Sequence, residues 1–333
     1  MKVGNRLRES IRKEYGFTVR NMKRIPTVKN TSVFRLQTDQ GNYILKSLYT
    51  SKTRQLFIID AENYLRNQGI SIPEVIPTLR NKPYFYWKHH LFILQRMYPG
   101  KPFGLRSPNR IKQAGSLLGK MHRASLGFRS ELGDRYVGPS NWMKEYEDDL
   151  SSIRAWQKRN RYKKEPKIKV ILPYIRFFLS SGKTARTMLH KNQFFLKWRN
   201  LPTHEHFLCH GDFHPRNFLI NGSDTTIIDW EDVRYDSPSK DIIRLVDNII
   251  DRDSKWSKKK FTMLLSEYLK ENPLTDQQKS IFFIDLAFPH VFERYLRKKI
   301  YHRMSPYQVK QFLRREKQKT SDMLQSAREY QIT

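Results

Sequence analysis

From Ser32 onward, apolar and polar residues alternate in a way that predicts two strands. SVFRLQT (Ser32–Thr38) and NYILKSLY (Asn42–Tyr49) flank Asp39-Gln40-Gly41, a hairpin signal. The period then lengthens: Phe57, Ile58, Ala61, Tyr64 and Leu65 recur at helical spacing until Gly69 ends the helix. ISIPEVIP, PYFYWKH and LFILQRMY return to strand-like patterns and lead to Pro99-Gly100. Beyond that point the chain turns helical. NRIKQAGSLLGKMHRAS puts Ile111, Ala114, Leu118 and Met121 on one face, and amphipathic segments follow at Trp142–Arg159, Ile168–Leu179 and Ala185–Trp198. The strand-rich LCHGDFHPRNFLINGSDTTIIDWED (Leu208–Asp232) interrupts them, and past Ser237 the helical pattern runs on with Pro289 as a kink or break. The layout is α+β: a small β-rich lobe over residues 1–96, then a large, mostly helical lobe over 97–333 with one inserted hairpin.

Composition narrows the class. With 38% hydrophobic and 13% aromatic residues in 333, the chain is globular and can bury one large core or two smaller ones in contact. The first residues, MKVGNRLRESIRKEYGF, are charged throughout and hold no apolar core of a signal peptide, so synthesis in the cytoplasm is expected. SIFFIDLAF, the longest apolar run, is interrupted by Asp285 and is too short to span a bilayer. One cysteine, Cys209, rules out an internal disulfide and fits a reducing compartment. The formal net charge of +31 implies attraction to polyanions, and it equally suits a basic surface with no dedicated partner. Its densest run, KRNRYKKEPKIK (Lys158–Lys169), reads as a helix end and polar loop. There is no recognition-helix motif, zinc spacing or aromatic-basic RNA-binding signature, so nucleic acid is not an expected partner.

The carboxylates that this basic chain gathers after Leu208 have a chemical pattern. His210-Gly211-Asp212 is followed five positions after the Asp by Asn217, and TTIIDW ends a strand at Asp229. That is the spacing of a phosphotransfer loop, in which an Asp faces the substrate hydroxyl and an Asn holds a metal. Asp229 would be the main magnesium ligand, since Mg²⁺ takes hard oxygen donors and needs only one or two carboxylates beside phosphates and water. Lys46 lies in an apolar strand, where an ammonium has a desolvation cost. Glu62, on the next helix, could pair with Lys46 and hold it against the α- and β-phosphates. Taken singly, each of these groups has a plainer reading: a solvated turn carboxylate, a snorkelling lysine, a glutamate in water. All five in this order are hard to explain that way. A Ser-His-Asp hydrolase does not fit, because His210 and His214 lack a Ser on a strand-to-helix elbow.

ILK, Glu62, LFILQRMYPGKPF, LGKMH, HGDFHPRN, IDWED and SPSKDI occur in that order between roughly Val33 and Ile243. In them the sequence resembles the aminoglycoside phosphotransferase and choline kinase-like branch of the protein-kinase-like fold. The basic, aromatic helical lobe and the length look most like its CotS-type spore coat subgroup. The resemblance implies a two-lobed fold using ATP and Mg²⁺, with Lys46 on the phosphates and Glu62 orienting it. It implies Asp212 as catalytic base, Asn217 and Asp229 as magnesium ligands, and backbone groups of Gln95 to Met97 meeting adenine at the hinge between lobes. His122 would be a structural hydrogen-bonder, His210 a brace for the catalytic loop, and Asp241 an acceptor of that loop's N–H groups. Departures stand out. The nucleotide loop VKNTSVFRL (Val28–Leu36) has no glycine, so Thr31 and Ser32 hydroxyls or N–H groups would stand in. Arg216 replaces a small residue and could reach an anionic substrate or face solvent. Ser237 replaces the acid of DPxxD, and Cys209 reads as a small buried thiol. The expected function is ATP/Mg-dependent phosphorylation of a hydroxyl on a small molecule or glycan, anionic or sugar-like, in association with the spore coat. The alternative is a weak or inactive kinase-shaped component of that coat, with other coat proteins as partners. The acceptor has no signature between Trp142 and Trp198.

Overall fold

The computed structural model describes residues 3–27, 31–47, 50–132, 136–138, 141–253 and 255–330. The chain folds as two compact units: Met1–Phe103 with Ser130–Gly133 and Arg216–Val233, and Gly104–Arg129 with Asp134–Pro215 and Arg234–Thr333. The first takes in the hairpin stretch 216–233, which a boundary at residue 96 leaves with the helices.

In the first unit, helix α1 (Val3–Tyr15) precedes strands β1 (Val19–Ile25), β2 (Ser32–Thr38) and β3 (Gly41–Ser47). Helix α2 (Lys52–Asn67) follows, then β4 (Val75–Ile76), β5 (Phe85–Trp87), β6 (His90–Arg96) and β7 (Lys101–Pro102). The sheet is antiparallel in the order β1-β2-β3-β6-β4, with β5 paired to β6. Successive side chains on a strand point to opposite faces, so β6, apolar on both, is covered twice. Phe92 and Leu94 join Leu36, Tyr43 and Leu45 against Leu7, Ile11 and Tyr15 of α1. Leu91 and Ile93 pack with Ile59 of α2. The Ser51 hydroxyl caps α2 by accepting from Arg54 N–H, and Gly69, at φ +85°, lies just past its end. ISIPEVIP keeps only the two residues of β4 as strand, because Pro73 and Pro77 have no N–H for a ladder. A second small sheet joins β9 (Phe218–Asn221) to β10 (Asp224–Ile227) on one side and to β7 on the other.

The second unit is mostly helical: α3 (Pro108–Ser125), α4 (Trp142–Asn160), α5 (Pro166–Lys191), α6 (Gln193–Trp198), α7 (Ser239–Asp253), α8 (Lys258–Glu271), α9 (Asp276–Ala287), α10 (His290–Arg297) and α11 (Pro306–Glu329). One antiparallel pair, β8 (Phe207–Cys209) with β11 (Arg234–Asp236), lies among them. Two expected helices are one. The pattern suggested a break between Leu179 and Ala185, yet α5 runs unbroken through Pro173 and Gly182. Ile168, Ile171, Ile175 and Phe178 bury one face against α4, α10 and α11, which holds the helix together. Gly182 is there for close approach: a Cβ on it would stand 2.6 Å from Leu150 Cδ2. The break comes at Asn192, whose Oδ1 accepts Phe195 N–H at 2.8 Å to start α6. Pro289 separates α9 from α10, as expected. Helices α3 and α8 touch through glycines. A Cβ on Gly115 would fall on the Leu264 carbonyl oxygen, and one on Gly119 would sit 2.6 Å from that of Tyr268. Among the described residues no helix is long and apolar enough to cross a membrane.

Candidate functional site

Residues directly opposite in an antiparallel pair share a face. Lys46 of β3 is opposite Ile93 of β6, and Ile44 is opposite Gln95, so Lys46 and Gln95 both point to the α2 side. Lys46 Nζ lies 3.5 Å from Asp229 Oδ1, with side chains 15% and 39% exposed. Glu62, expected to pair with Lys46, holds Gln95 instead: Gln95 Nε2 is 3.3 Å from one carboxylate oxygen and 3.4 Å from the other. The reason is desolvation. Glu62 is only 3% exposed, and an ion pair there would strip water from both charges, whereas Asp229 keeps part of its hydration. Gln95, singled out for its backbone, therefore also contributes its side chain; the signal was a polar residue inside LFIL and RM.

Burial pushes the Glu62 carboxyl up to about 7, against the pull of Lys46, Arg66 and the Gln95 bond, while Asp229 adds to the rise. The folded chain therefore binds more protons at this site than the unfolded chain between pH 4.5 and about 7. Stability from this group is present below that window and is lost as pH rises through it, on the order of 3 kcal/mol in all. In melts at pH 5 to 8, Glu62→Gln is expected to remove this fall and to exceed wild type at pH 8. Parallel pH profiles for the two proteins would refute the assignment.

The hairpin delivers the oxygen donors. Phe218 is opposite Ile227, and Ile228 N–H donates to Asn217 O at 2.9 Å, so Asn217 and Asp229 leave its open end as near neighbours. Asp229 has φ +71°, a left-handed conformation with a real cost for a residue with a Cβ. Arg54 of α2 donates Nη2–H to the Glu231 carbonyl at 2.7 Å, tying the helix to the chain just past Asp229. Sequence reasoning missed Arg54, since an arginine in a first helical turn has no spacing signature. An amide oxygen beside a carboxylate is a donor set that fits a hard divalent cation such as Mg²⁺. Of the expected nucleotide-contacting groups, Ser32 opens β2 opposite Ser47, and the Thr31 carbonyl accepts the Thr27 hydroxyl at 2.8 Å. Val28 to Asn30 of the glycine-free loop lie outside the described residues. Met97 N–H donates to Asn42 O at 3.1 Å and Arg96 N–H to Glu74 O at 2.9 Å, so both donors are engaged in the sheet.

The second unit carries Asp212, half-buried, five residues before Asn217. Asp241, at the start of α7, organises the loop ahead of it. His210 N–H donates to Oδ2 at 2.7 Å and Gly211 N–H to Oδ1 at 2.8 Å. Asp212 N–H donates to His210 Nδ1 at 3.2 Å, and Gly211 has φ +80°. Asn272 Nδ2–H donates to the Tyr268 hydroxyl at 2.6 Å, leaving its proton for His122 Nδ1 at 3.0 Å; His122 Nε2–H donates to Asp241 Oδ2 at 3.2 Å. Burial alone would raise the Asp241 carboxyl, but the hydrogen bonds from His122 and the His210 backbone and the electrostatic pull of these two residues outweigh it and hold it low. Cys209, buried, donates its S–H to Ser237 O at 3.1 Å, and burial together with Asp241 pushes its thiol up. His122, Cys209 and Asp241 have ligand atoms within 4.8 Å of one another, yet each is already spent on these bonds, so they form a hydrogen-bonded core. Ser237 Oγ accepts the Ser239 hydroxyl at 3.1 Å, and Arg216 is exposed.

The sequence pattern of the "Phosphotransferase enzyme family" matches residues 22–274, a span holding Lys46, Glu62, Asp212, Asn217, Asp229 and Asp241. The chain belongs to that family. Among relatives of this phosphotransferase family member, spore coat protein S of Bacillus subtilis (strain 168) is 25% identical over 269 residues, 78% of this chain and 74% of that protein. A solved aminoglycoside phosphotransferase from Alicyclobacillus acidocaldarius superposes with a TM-score of 0.78 at 14% identity, covering 98% of this chain and 96% of that one. An amicoumacin kinase solved in complex with AMP-PNP, Ca²⁺ and Ami gives a TM-score of 0.64 at 18% identity, covering 97% and 94%. The fold is thus the kinase-like one, an antiparallel sheet lobe and a mostly helical lobe, as the motifs implied.

Proposed function

We propose that this family member transfers the γ-phosphoryl group of ATP to a hydroxyl of a small molecule or glycan in association with the spore coat. The carrying observation is Lys46 at 3.5 Å from Asp229, with Asn217 beside it at the open end of the same hairpin. Lys46 binds the α- and β-phosphates, and a carbonyl of the Gln95–Met97 segment accepts the adenine amino group, its neighbouring N–H donors being engaged. Thr31 and Ser32 serve the phosphates in place of glycine N–H groups. Asn217 and Asp229 hold magnesium, which when bound neutralises charge on the phosphate oxygens. Asp212 orients the acceptor hydroxyl and takes its proton as the new O–P bond forms and the β–γ bridging bond breaks, releasing ADP. Asp241 keeps the loop in place through two N–H groups. AMP-PNP in the amicoumacin kinase complex supports nucleotide use by this fold.

The likeness to spore coat protein S favours a second reading, a coat component of the same shape without turnover. Thermal melting with and without Mg-ATP separates them. Ligand at about a hundredfold over its dissociation constant stabilises by roughly 2.7 kcal/mol. At about 2–4 °C per kcal/mol that is a rise of several degrees. The kinase reading expects this rise in wild type and its loss in Asp229→Ala. No rise in either protein would favour the silent coat component.

A further inference from the structure

Two basic segments far apart in sequence meet at one end of the helical unit. Seven of the twelve residues from Lys158 to Lys169 are Lys or Arg, against 63 of 333 in the whole chain. They span the end of α4, a short loop and the start of α5. The other segment, Lys298 to Arg303, lies beyond residue 274, where the family match stops. Lys167 Nζ donates to the His302 carbonyl at 2.9 Å, and Trp156 Nε1–H donates to the Tyr301 hydroxyl at 3.3 Å, fixing the two together. Arg159, Arg161, Lys163 and Lys164 on one side, and Lys298, Lys299 and Arg303 on the other, are all exposed. Lys299 sits at φ +52°, where a side chain is costly and glycine would be cheaper. Tyr162 is 81% exposed beneath the Arg161 guanidinium, 4.5 Å from its ring centre.

Behind this rim lies a cavity of about 200 Å³, lined by Tyr295, Ile300, Met304 and Phe312 among others. Ile300 belongs to the basic segment itself and is 39% exposed. The charged lining groups balance, Arg294 and Arg315 against Asp247 and Glu316; Arg294 Nη2 is 3.1 Å from Asp247, and Glu316 also receives Lys319 Nζ at 2.8 Å from outside the lining. The Tyr295 hydroxyl is buried there without a hydrogen-bond partner among the described residues. An apolar cavity of about 150 Å³ accommodates benzene, so this one has room for a leucine or phenylalanine side chain.

We propose that this corner docks an acidic peptide segment carrying one apolar side chain. Its carboxylates lie across the basic rim, and the apolar group passes Ile300 into the cavity. Charge complementarity provides the attraction and the cavity provides the register. A nucleic-acid backbone would use the charges and leave the cavity idle. Neither the rim nor the cavity depends on whether the chain turns over ATP.

Fluorescence anisotropy with two synthetic Glu-rich peptides, identical except for a central Phe or Ser, tests it. The Phe peptide is expected to bind about tenfold more tightly, the effect of burying one aromatic side chain. Lys163→Glu/Lys164→Glu/Lys299→Glu should weaken both peptides by about tenfold or more and melt like wild type, because these side chains are exposed. Met304→Trp, which fills the cavity, should erase the preference for Phe while keeping Ser-peptide binding. If that variant does not fold, the wild-type peptide pair and the lysine variant still decide. Equal affinity for the two peptides, an unaffected lysine variant, or tighter binding of a single-stranded oligonucleotide of equal charge would each overturn the proposal.

Discussion

Replacing Asp212 by Asn is expected to abolish phosphotransfer while leaving the Mg-ATP melting shift of wild type in place. The substitution keeps the shape of the side chain and removes its ability to take a proton. General-base assistance is worth about 10²–10⁴ in rate. The loop should keep its form, because Asp241 receives His210 and Gly211 N–H, and the Asp212 backbone N–H donates to His210, none of which the substitution touches. Nucleotide and metal groups are assigned to Lys46, Asn217 and Asp229, so binding should persist. Substrate-stimulated ADP release, screened over hydroxyl compounds, is the readout. A variant rate within a few-fold of wild type would remove Asp212 from the role of base.

The largest stability effect is expected from Asp285→Ala. Asp285 interrupts the apolar run of α9 and is buried at the meeting of four helices. Its Oδ1 accepts from Tyr146 at 2.8 Å, Lys240 at 2.9 Å and His290 Nε2 at 3.3 Å, and its Oδ2 from Ser239 at 2.6 Å. Lys240 also lies 4.3 Å from the centre of the Trp142 ring. Removing the carboxylate leaves a nearly buried ammonium without its counter-charge, at about 3–5 kcal/mol. On the scale used above, that lowers the melting temperature by roughly ten degrees. Adding Lys240→Met to Asp285→Ala should restore part of the loss, since both charges are then gone. A drop of only a degree or two in the single variant would show that water or a neighbour compensates.

The same cluster has a pH signature. Burial alone would raise the Asp285 carboxyl, but Lys240, His290 and Ser239 outweigh it and hold it far below 3.8. Its stabilisation is present above that value and fades as pH falls below it. For His290, burial and Lys240 push down, while Asp149 and Asp285 push harder in the other direction and raise it above 6.5. That contribution is complete below pH 6.5 and is lost as pH rises through the raised value.

What the residues disclosed in advance depended on how local the cause was. The β2–β3 hairpin, α2 with its glycine stop and α3 follow from period and turn chemistry, and they stand as expected, the last two positions of the second strand (48–49) lying outside the described residues. The gap expected between Leu179 and Ala185 is not there, because Gly182 within it serves a close contact with Leu150; spacing along α5 cannot report a neighbouring helix. Glu62 and Lys46 were both placed on the correct elements, but their partners depend on burial, which only the packed sheet defines. Asp285 interrupts an apolar run in the sequence, but its four donors cannot be read there: Tyr146, Ser239 and Lys240 come from distant segments, and nearby His290 reaches it only through the turn at Pro289. The seam between residues 158–169 and 298–303 was likewise invisible, because contacts between residues 135 and 145 positions apart create it.

Gly115 and Gly119 set a limit on how this chain can drift. Most tight contacts between helices can be relieved when the opposing side chain is trimmed. Here the opposing atoms are main-chain carbonyls of α8, present whatever residues occupy positions 264 and 268. No compensating substitution across the interface can make room for even one methyl group. A variant that tolerates it must slide one whole helix, and α3 also carries His122, so such a slide would be felt at Asp241.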